Sequence, residues 1–249
     1  MLSVVPTPIG NRQDITLRAV ETLKSADLIA AEDTRHASIL LKHHGISRPL
    51  LSLHEHNEEG RIPQVIGMLA EGGAAALISD AGTPVLADPG YRLVKEAAEL
   101  GIPVTACPGP SAVLTGLALS GLPTDRFLFA GFVPQKQGER KKLFTEFAKL
   151  KATLIFFESP HRIIETLHDL ATALPSRHVA VTRELTKLHE EVLRGAAAEI
   201  ATQLEARPSV KGEITLLVGP PEGEEEVSET ELENAITNAL AEMPASKAA

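Results

Sequence analysis

The sequence predicts an α/β protein built as two units, an N-terminal parallel α/β sheet followed by a C-terminal mixed α/β sheet. In the first 120 residues, short apolar runs alternate with stretches of helical periodicity. All seven Phe lie between Phe127 and Phe157, so the composition steps abruptly at GLPTDR (121–126), which has the Gly, Pro and Asp of a linker. Beyond that point strand-like runs outnumber helical ones, the mark of a mixed sheet. The expected division is 1–121 for the first unit and 122–220 for the second, with an acidic linker and short amphipathic helix over 221–249.

Taken in order, the strands of the first unit are LSVV near 2–5, DLIAA at 27–31, LLSL at 50–53, AAALIS at 74–79 and PVTA at 103–106, each followed by a helical pattern. Asp14 is the expected cap of ITLRAVETLKSA, whose Ile15, Leu17, Val20 and Leu23 form a partial apolar stripe. Gly45 and Gly101 stand where glycines follow helix ends. In the second unit RFLFAGF, TLIFFES, HVAVTRE, EEVLRG and GEITLLVG read as strands, with helices at 139–150, 160–174 and 195–206; Pro160 after Ser159 is the expected first residue of the second of these. From Pro221 onward there are eight Glu and one Lys, with Leu232, Ile236 and Leu240 every four residues.

At 249 residues the chain is long enough for substantial cores, and 43% hydrophobic with 23% charged residues is an ordinary globular balance. No uncharged apolar run approaches the roughly 18 residues of a membrane helix. The start MLSVVPTPIG lacks the basic and apolar regions of a signal peptide, and the single Cys107 has no partner for an internal disulfide, so a cytoplasmic location is expected. The net charge of −9 stands against a nucleic-acid partner at first sight. Residues 1–220, however, hold 25 acidic against 23 basic residues, and KQGERKKLFTEFAKLK at 136–151 carries a local +4. That body is compatible with RNA. With no Trp and one Tyr, stacking of bases on an aromatic platform is not the expected mode of recognition.

In an open parallel sheet ligands bind beyond the carboxyl ends of the strands. The segments there are PTPIGN (6–11), EDTR (32–35), HEHNE (54–58), SDAGTPVLADPG (79–90) and CPGPSA (107–112). Three are rich in Gly, Pro and small hydroxyl residues, which suits either ordinary tight turns or a backbone cradle for a polar ligand. Neither GxGxxG nor GxxxxGK[ST] occurs, so a nucleoside would have to be held in another way. Asp80 and Asp88 suit ribose hydroxyls or an amino group if they are not turn caps, and residues 108–112 offer amides at a helix start. Glu32, Asp33 and Arg35 with His54 to Glu58 place acid, base and cationic groups on the same edge. His54 and His56 alone fall short of a zinc site, so no metal is expected. Cys107 reads as a buried residue, and Ser159 with His161 as a helix start. In the second unit, Arg162, Arg183 and Lys187 suit phosphates and Glu184 a base, unless ESPHR and RELTKLHEE are only charged surface. Lys136, Arg140, Lys141 and Lys142 are the strongest phosphate candidates.

PTPIGN, AEDTR, HEHNE, SDAGTPVLADPG, CPGPSA, FFESPHR, RELTKLHEE and GEITLLV, in this order and spacing, resemble the ribosomal RNA small subunit methyltransferase I family of the tetrapyrrole methylase superfamily over residues 3–219. SDAGTP with FFESPHR is specific to this branch; relatives acting on small tetrapyrroles carry a GxGPGD-like first loop. The resemblance implies an S-adenosylmethionine enzyme of two domains with the cofactor in the cleft between them, a homodimer, and 2′-O-methylation of the ribose of a decoding-centre cytidine in 16S ribosomal RNA of the small subunit. It puts Pro8 and Gly10 beside the cofactor. Around its methionine or ribose part it puts Asp80, Gly82, Thr83 and Pro84, with Ser111 and Ala112 nearby, and Asp88 on the same loop joins this set. Phe157, Leu185 and Thr215 would enclose adenine. Family members usually continue after a segment like MPASKAA into a further basic helical stretch, so RNA affinity from such a stretch is expected to be lost or supplied otherwise.

Methyl transfer from a sulfonium is an in-line displacement, with the hydroxyl oxygen about 3 Å from the methyl. A base, or a cation beside the developing alkoxide, assists it. The candidates are Glu32, Asp33, His54, Glu184 and Lys187, with Arg35 and Arg162 as phosphate or oxyanion contacts. Two other readings remain open: the same cofactor with a tetrapyrrole or another small metabolite as acceptor, and a non-catalytic nucleotide-sensing module.

Overall fold

The five apolar runs of the first half become β1 (Leu2–Val4), β2 (Leu28–Ala31), β3 (Leu50–Ser52), β4 (Ala75–Ile78) and β5 (Val104–Ala106) in the computed structural model, which describes residues 1–221 and 237–238. They form one sheet in the order β3-β2-β4-β1-β5, every pair parallel. Parallel neighbours need crossovers, and α1 (Leu17–Ser25), α2 (Thr34–His43), α3 (Glu58–Ala70) and α4 (Tyr91–Glu99) supply them. Because helices cover both faces, the inner strands β2 and β4 are apolar throughout rather than alternating. Leu2, Ala30, Leu51 and Leu77 pack on Ile62, Val65, Leu69 and Leu93. On the other face Val5, Ile29, Ala31 and Ile78 meet Ala19, Leu23, Ala37 and Leu41.

Thr16, not Asp14, caps α1: its hydroxyl accepts from the Ala19 N–H at 3.0 Å. Asp14 is instead drawn into a 3-10 turn over Arg12–Asp14 that Asn11 caps. Gly45 and Gly101 take left-handed φ values of 65° and 70° just past α2 and α4, as expected.

The second half gives β6 (Phe127–Phe132), β7 (Thr153–Glu158), β8 (His178–Arg183), β9 (Glu191–Ala196) and β10 (Ile214–Val218), ordered β6-β7-β10-β8-β9. Only β6 and β7 run parallel, so the sheet is mixed. One face carries α6 (Gln137–Glu146), α7 (Ile163–Ala173) and α8 (Ala197–Glu205) over a core that includes Phe144, Phe156, Leu167, Leu170, Ile200 and Leu204. The other face is covered by α5 (Ala112–Ser120), whose Val113 and Leu117 lie on Ile155, Ala180 and Leu217. The helix that leaves β5 of the first sheet is therefore packed on the second. Gly116 permits that approach, since a Cβ there would come within 3.2 Å of Thr182 Oγ1 and 3.4 Å of Thr215 Cγ2.

Helix α7 begins at Ile163 rather than at Pro160. The Ser159 hydroxyl accepts from the His161 N–H, and the N–H groups of Arg162 and Ile163 both reach the Ser159 carbonyl, so Ser159 and Pro160 belong to a turn. The linker and amphipathic helix expected over 221–249 lie outside the described residues, except for Pro221 and helical positions 237–238. No helix among the described residues is long and apolar enough to cross a membrane.

The basic face of α6 is not uniform. Arg140 is 2% exposed, and its Nε donates to Asp169 Oδ2 at 2.7 Å while Nη1 donates to the Gln135 carbonyl. It joins α6 to α7 and is removed from the phosphate candidates. Asp169→Ala would leave a buried guanidinium without its carboxylate, and we expect a loss of about 3–5 kcal/mol in urea unfolding. Lys142→Ala, at an exposed position of the same helix, is expected to change stability by no more than about 0.5 kcal/mol.

Candidate functional site

The loops beyond β1, β4 and β5 converge on a cleft of about 370 Å³ whose far wall is the second sheet. Ile9, Gly82, Thr83, Leu86, Asp88, Ser111 and Ala112 line it from one side; Phe132, Phe157, Leu185, Glu213 and Thr215 line it from the other.

Local backbone chemistry places these groups. Thr7 and Gly82 exchange backbone hydrogen bonds of 2.9 and 3.0 Å, which Gly82 reaches with a φ of 80°. Thr83 donates its hydroxyl to the Pro110 carbonyl at 3.0 Å, tying the fourth loop to the fifth. Ser111 caps α5, so the first turn of that helix opens on the cleft. Among the described residues four non-glycines are left-handed: Val85, Ala87, Glu184 and Thr186. They lie on the two loops that face each other across the site, and such positions cost on the order of 1–3 kcal/mol each.

The loop at 184–187 is held by ion pairs and by contact with the loop that follows β1. Lys187 Nζ donates to Glu184 Oε1 and Glu213 Oε2, each at 2.9 Å. The Asn11 N–H donates to Thr186 Oγ1 at 2.9 Å. A Cβ on Gly10 would fall 2.5 Å from Lys187 Cγ and 2.9 Å from the Leu185 carbonyl oxygen. Gly10 thus serves the closure of loop on loop rather than the cleft surface. Pro8 and Pro84 flank lining residues without lining the cleft themselves. Asp80 is turned toward α2: Oδ1 accepts the Asp33 N–H at 3.1 Å and Oδ2 is 3.2 Å from His36 Nδ1.

Electrostatics sort the proposed acids and bases. Burial pushes Asp88 up to about 6, against the opposing hydrogen bond from Ser79. Glu32 is also raised, by burial first and then by Asp88, Asp80, Glu55 and Asp33. Asp33 is the reverse case. It caps α2, accepting the Arg35 N–H at 2.8 Å, and the Arg35 guanidinium holds it well below the usual carboxylate range, so it is withdrawn as a base. Glu184 is lowered by its bond from Lys187. For Lys187, burial acts against the charge, but Glu184 and Glu213 prevail and raise it. His54 holds the turn before α3, with its N–H on Asn57 Oδ1 at 2.9 Å and its Nε2 3.0 Å from Asn57 Nδ2. Its ring lies 6.0 Å from that of His56, and among the described residues no group of three His, Cys, Asp or Glu is arranged to hold a metal ion.

Of the basic candidates, Arg35, Lys136, Lys141 and Lys142 are exposed, Arg35 paired with Asp33, Lys136 with Glu139 and Lys141 with Asp169 in contacts open to solvent on the cationic side. Arg162 and Arg183 are not free phosphate contacts. Arg162 is bound to the buried Glu158 at 2.6 Å and to the Val133 carbonyl; Arg183 is bound to Glu191 and the Lys211 carbonyl. Cys107 is buried as expected. Sequence reasoning did not find Ile9, Leu86, Phe132 or Gly212 to Ile214 as lining residues, since isolated apolar side chains and a strand entry carry no chemical signature. Glu158, also not singled out from the ESPHR motif, lines the cleft and accepts 2.6 Å bonds from the Ser159 N–H and the Thr166 hydroxyl.

Residues 1–201 match the family model described as Tetrapyrrole (Corrin/Porphyrin) Methylases. A Mesorhizobium japonicum protein named Ribosomal RNA small subunit methyltransferase I is 49% identical over 249 residues, covering 100% of this chain and 84% of its own. Proteins of the same name from Escherichia coli O157:H7 and Thermotoga maritima are each 44% identical, covering 100% and 89% of this chain and 87% and 99% of theirs. Among solved structures, a diphthine synthase superposes with a TM-score of 0.67 at 15% identity over 88% of this chain and 89% of that one. A uroporphyrin-III-C-methyltransferase from Thermus thermophilus gives 0.58 at 19% identity over 88% and 93%. These two likenesses are of fold.

The raised Asp88 makes a signed prediction. Its carboxyl holds a proton in the folded state up to about 6 but releases it near 3.8 when unfolded, so it lowers stability progressively as pH rises from 3.8 to 6 and by a constant amount above that. Asp88→Asn is expected to match the wild type near pH 4 and to exceed it by about 2 kcal/mol at pH 7.5. Urea melts at both values measure this, and equal stabilities at pH 7.5 refute it.

Proposed function

Because the chain belongs to the tetrapyrrole methylase family, alongside relatives named ribosomal RNA small subunit methyltransferase I, we propose that it is an S-adenosylmethionine-dependent methyltransferase of 16S ribosomal RNA. Its acceptor in this reading is the ribose 2′-hydroxyl of a decoding-centre cytidine in the small subunit. The observation that carries the cofactor assignment is the three-part lining of the cleft. Phe157, Leu185 and Thr215 give adenine an apolar wall with a hydroxyl. Asp88 gives the ribose hydroxyls a carboxylate. The first turn of α5 at Ser111 and Ala112 presents N–H groups to a carboxylate, as helix N-termini favour anions. A volume of about 370 Å³ is within the usual range of small-molecule sites, about 300–1,000 Å³.

When bound, S-adenosylmethionine supplies a methyl group on a cationic sulfonium. The carboxylate of Asp88 in the lining, with Glu32 and Asp80 behind it, makes this side of the site favourable to a positive charge. The chain's own residues then have to align the acceptor hydroxyl and take its proton. Glu32 is the base this reading favours. Burial and the neighbouring carboxylates, first among them the cleft-lining Asp88, raise its affinity for protons, whereas Asp33 and Glu184 are held low by Arg35 and Lys187, and His54 Nε2 is bound to Asn57. Lys187 keeps the facing loop in place. Arg35, Lys136, Lys141 and Lys142 supply exposed cationic charge for phosphates. The reading includes a homodimer, for which the exposed edge strand β5 offers surface.

Methyl-labelled S-adenosylmethionine offered with small ribosomal subunits, naked RNA and a porphyrinoid tests the assignment. Label is expected in the RNA, on one ribose. Label only in the porphyrinoid, or binding without turnover, overturns it. Glu32→Gln is expected to slow the single-turnover rate by about 10²–10⁴-fold while leaving S-adenosylhomocysteine affinity unchanged in calorimetry. An unaltered rate removes Glu32 from the mechanism.

A further inference from the structure

Two large apolar side chains stand at solvent on opposite rims of the cleft: Phe132 is 59% exposed and Leu86 is 45% exposed. Each is put there by an unusual backbone. Strand β6 changes register against β7 between Phe129 and Phe132, with Gly131 left-handed at φ 73°, and a bulge of this kind re-aims the side chain that follows. Leu86 lies between Val85 and Ala87, both left-handed at φ 78° and 63°. The Phe132 ring meets Phe157 edge to face, 5.5 Å between centroids, and much of it remains open. From Phe132 the chain runs directly into Lys136 and α6, where Lys141 and Lys142 are exposed.

We propose that Phe132 and Leu86 form a clamp for one unstacked base of a single-stranded segment of the RNA substrate, with Lys136, Lys141 and Lys142 meeting the adjoining phosphates. The proposal rests on the RNA methyltransferase reading. An aromatic face beside a cationic track is how proteins hold single-stranded nucleic acid. Access to a ribose within structured RNA favours a nucleotide whose base has left its stack, and that base then needs a partner at the mouth of the site. The cofactor does not need this ring, since Phe157, Leu185 and Thr215 already form an adenine wall.

The chain contains no Trp, so Phe132→Trp introduces a single fluorescent reporter. With S-adenosylhomocysteine present, small ribosomal subunits are expected to quench it. In turnover assays Phe132→Ala and Leu86→Ala are each expected to raise KM for small subunits, by about 5- to 100-fold for Phe132→Ala. S-adenosylmethionine affinity should stay constant, and Phe132→Trp should restore KM. Quenching by S-adenosylhomocysteine alone, or a matching loss of cofactor affinity in Phe132→Ala, assigns the ring to the cofactor and overturns the clamp. Wild-type KM in both alanine variants, with RNA methylated normally, overturns the clamp alone. If the wild-type protein methylates no RNA, the functional reading falls and the clamp falls with it.

Discussion

The contact of Gly10 with Leu185, Thr186 and Lys187 sets the geometry on which the cleft depends. A loop from the first sheet and a loop from the second meet there, without room for one extra carbon, and the Asn11 N–H on Thr186 Oγ1 fixes their register. The second constraint is α5, which begins at the cleft and packs on the second sheet through Gly116. With the sheets joined at both places, the space between them is a formed site and not a gap between independent units. The bridge of Thr7 to Gly82 and the bond of Thr83 to Pro110 then carry this order through the loops of the first sheet.

The strands were legible because a helix-covered parallel sheet demands continuous apolar runs, and LSVV, LIAA and AALI have little else to be. The loops were legible because Gly and Pro mark backbone that side chains cannot enter. Direction was not legible. Asp33 and Asp80 looked like ligand groups by residue type, yet Asp33 caps α2 and Asp80 receives its backbone N–H. Arg140 looked like its lysine neighbours, but it turns inward to Asp169, 29 residues away and on another helix. Which of several adjacent charges is buried depends on such distant partners, and a linear pattern does not contain them. Phe132 was hidden for a related reason. Seven Phe in 249 residues give no expectation of an aromatic platform, yet Phe129, Phe132 and Phe157 come together at one end of the second sheet.

Charge in the molecule is arranged rather than averaged. The acidic groups Glu32, Asp80 and Asp88 gather beyond the carboxyl ends of β2 and β4, where burial and then the two aspartates disfavour ionisation of Glu32. The exposed lysines lie on α6 beyond β6, on the opposite sheet. A net charge of −9 conceals this separation of an acidic cluster on one sheet from exposed lysines on the other.

The same region concentrates what is energetically unfavourable. The left-handed Ala87, the carboxyl of Asp88 kept protonated up to about 6 and the exposed rims at Phe132 and Leu86 all border one cleft, and the other left-handed non-glycines, Val85, Glu184 and Thr186, lie on the loops beside it. Away from it, caps, buried ion pairs such as Arg140 with Asp169, and two well-covered sheets favour the fold. The buried carboxyl and the apolar rims are features that a ligand can relieve. A cationic ligand group compensates the crowded carboxylates, and a planar ring covers the apolar rims. A cleft that only joined two units would gain nothing from holding these features open, because an apolar lining without buried acids would join them more stably. Their concentration at one place is a physical argument for ligand binding there that does not depend on family likeness.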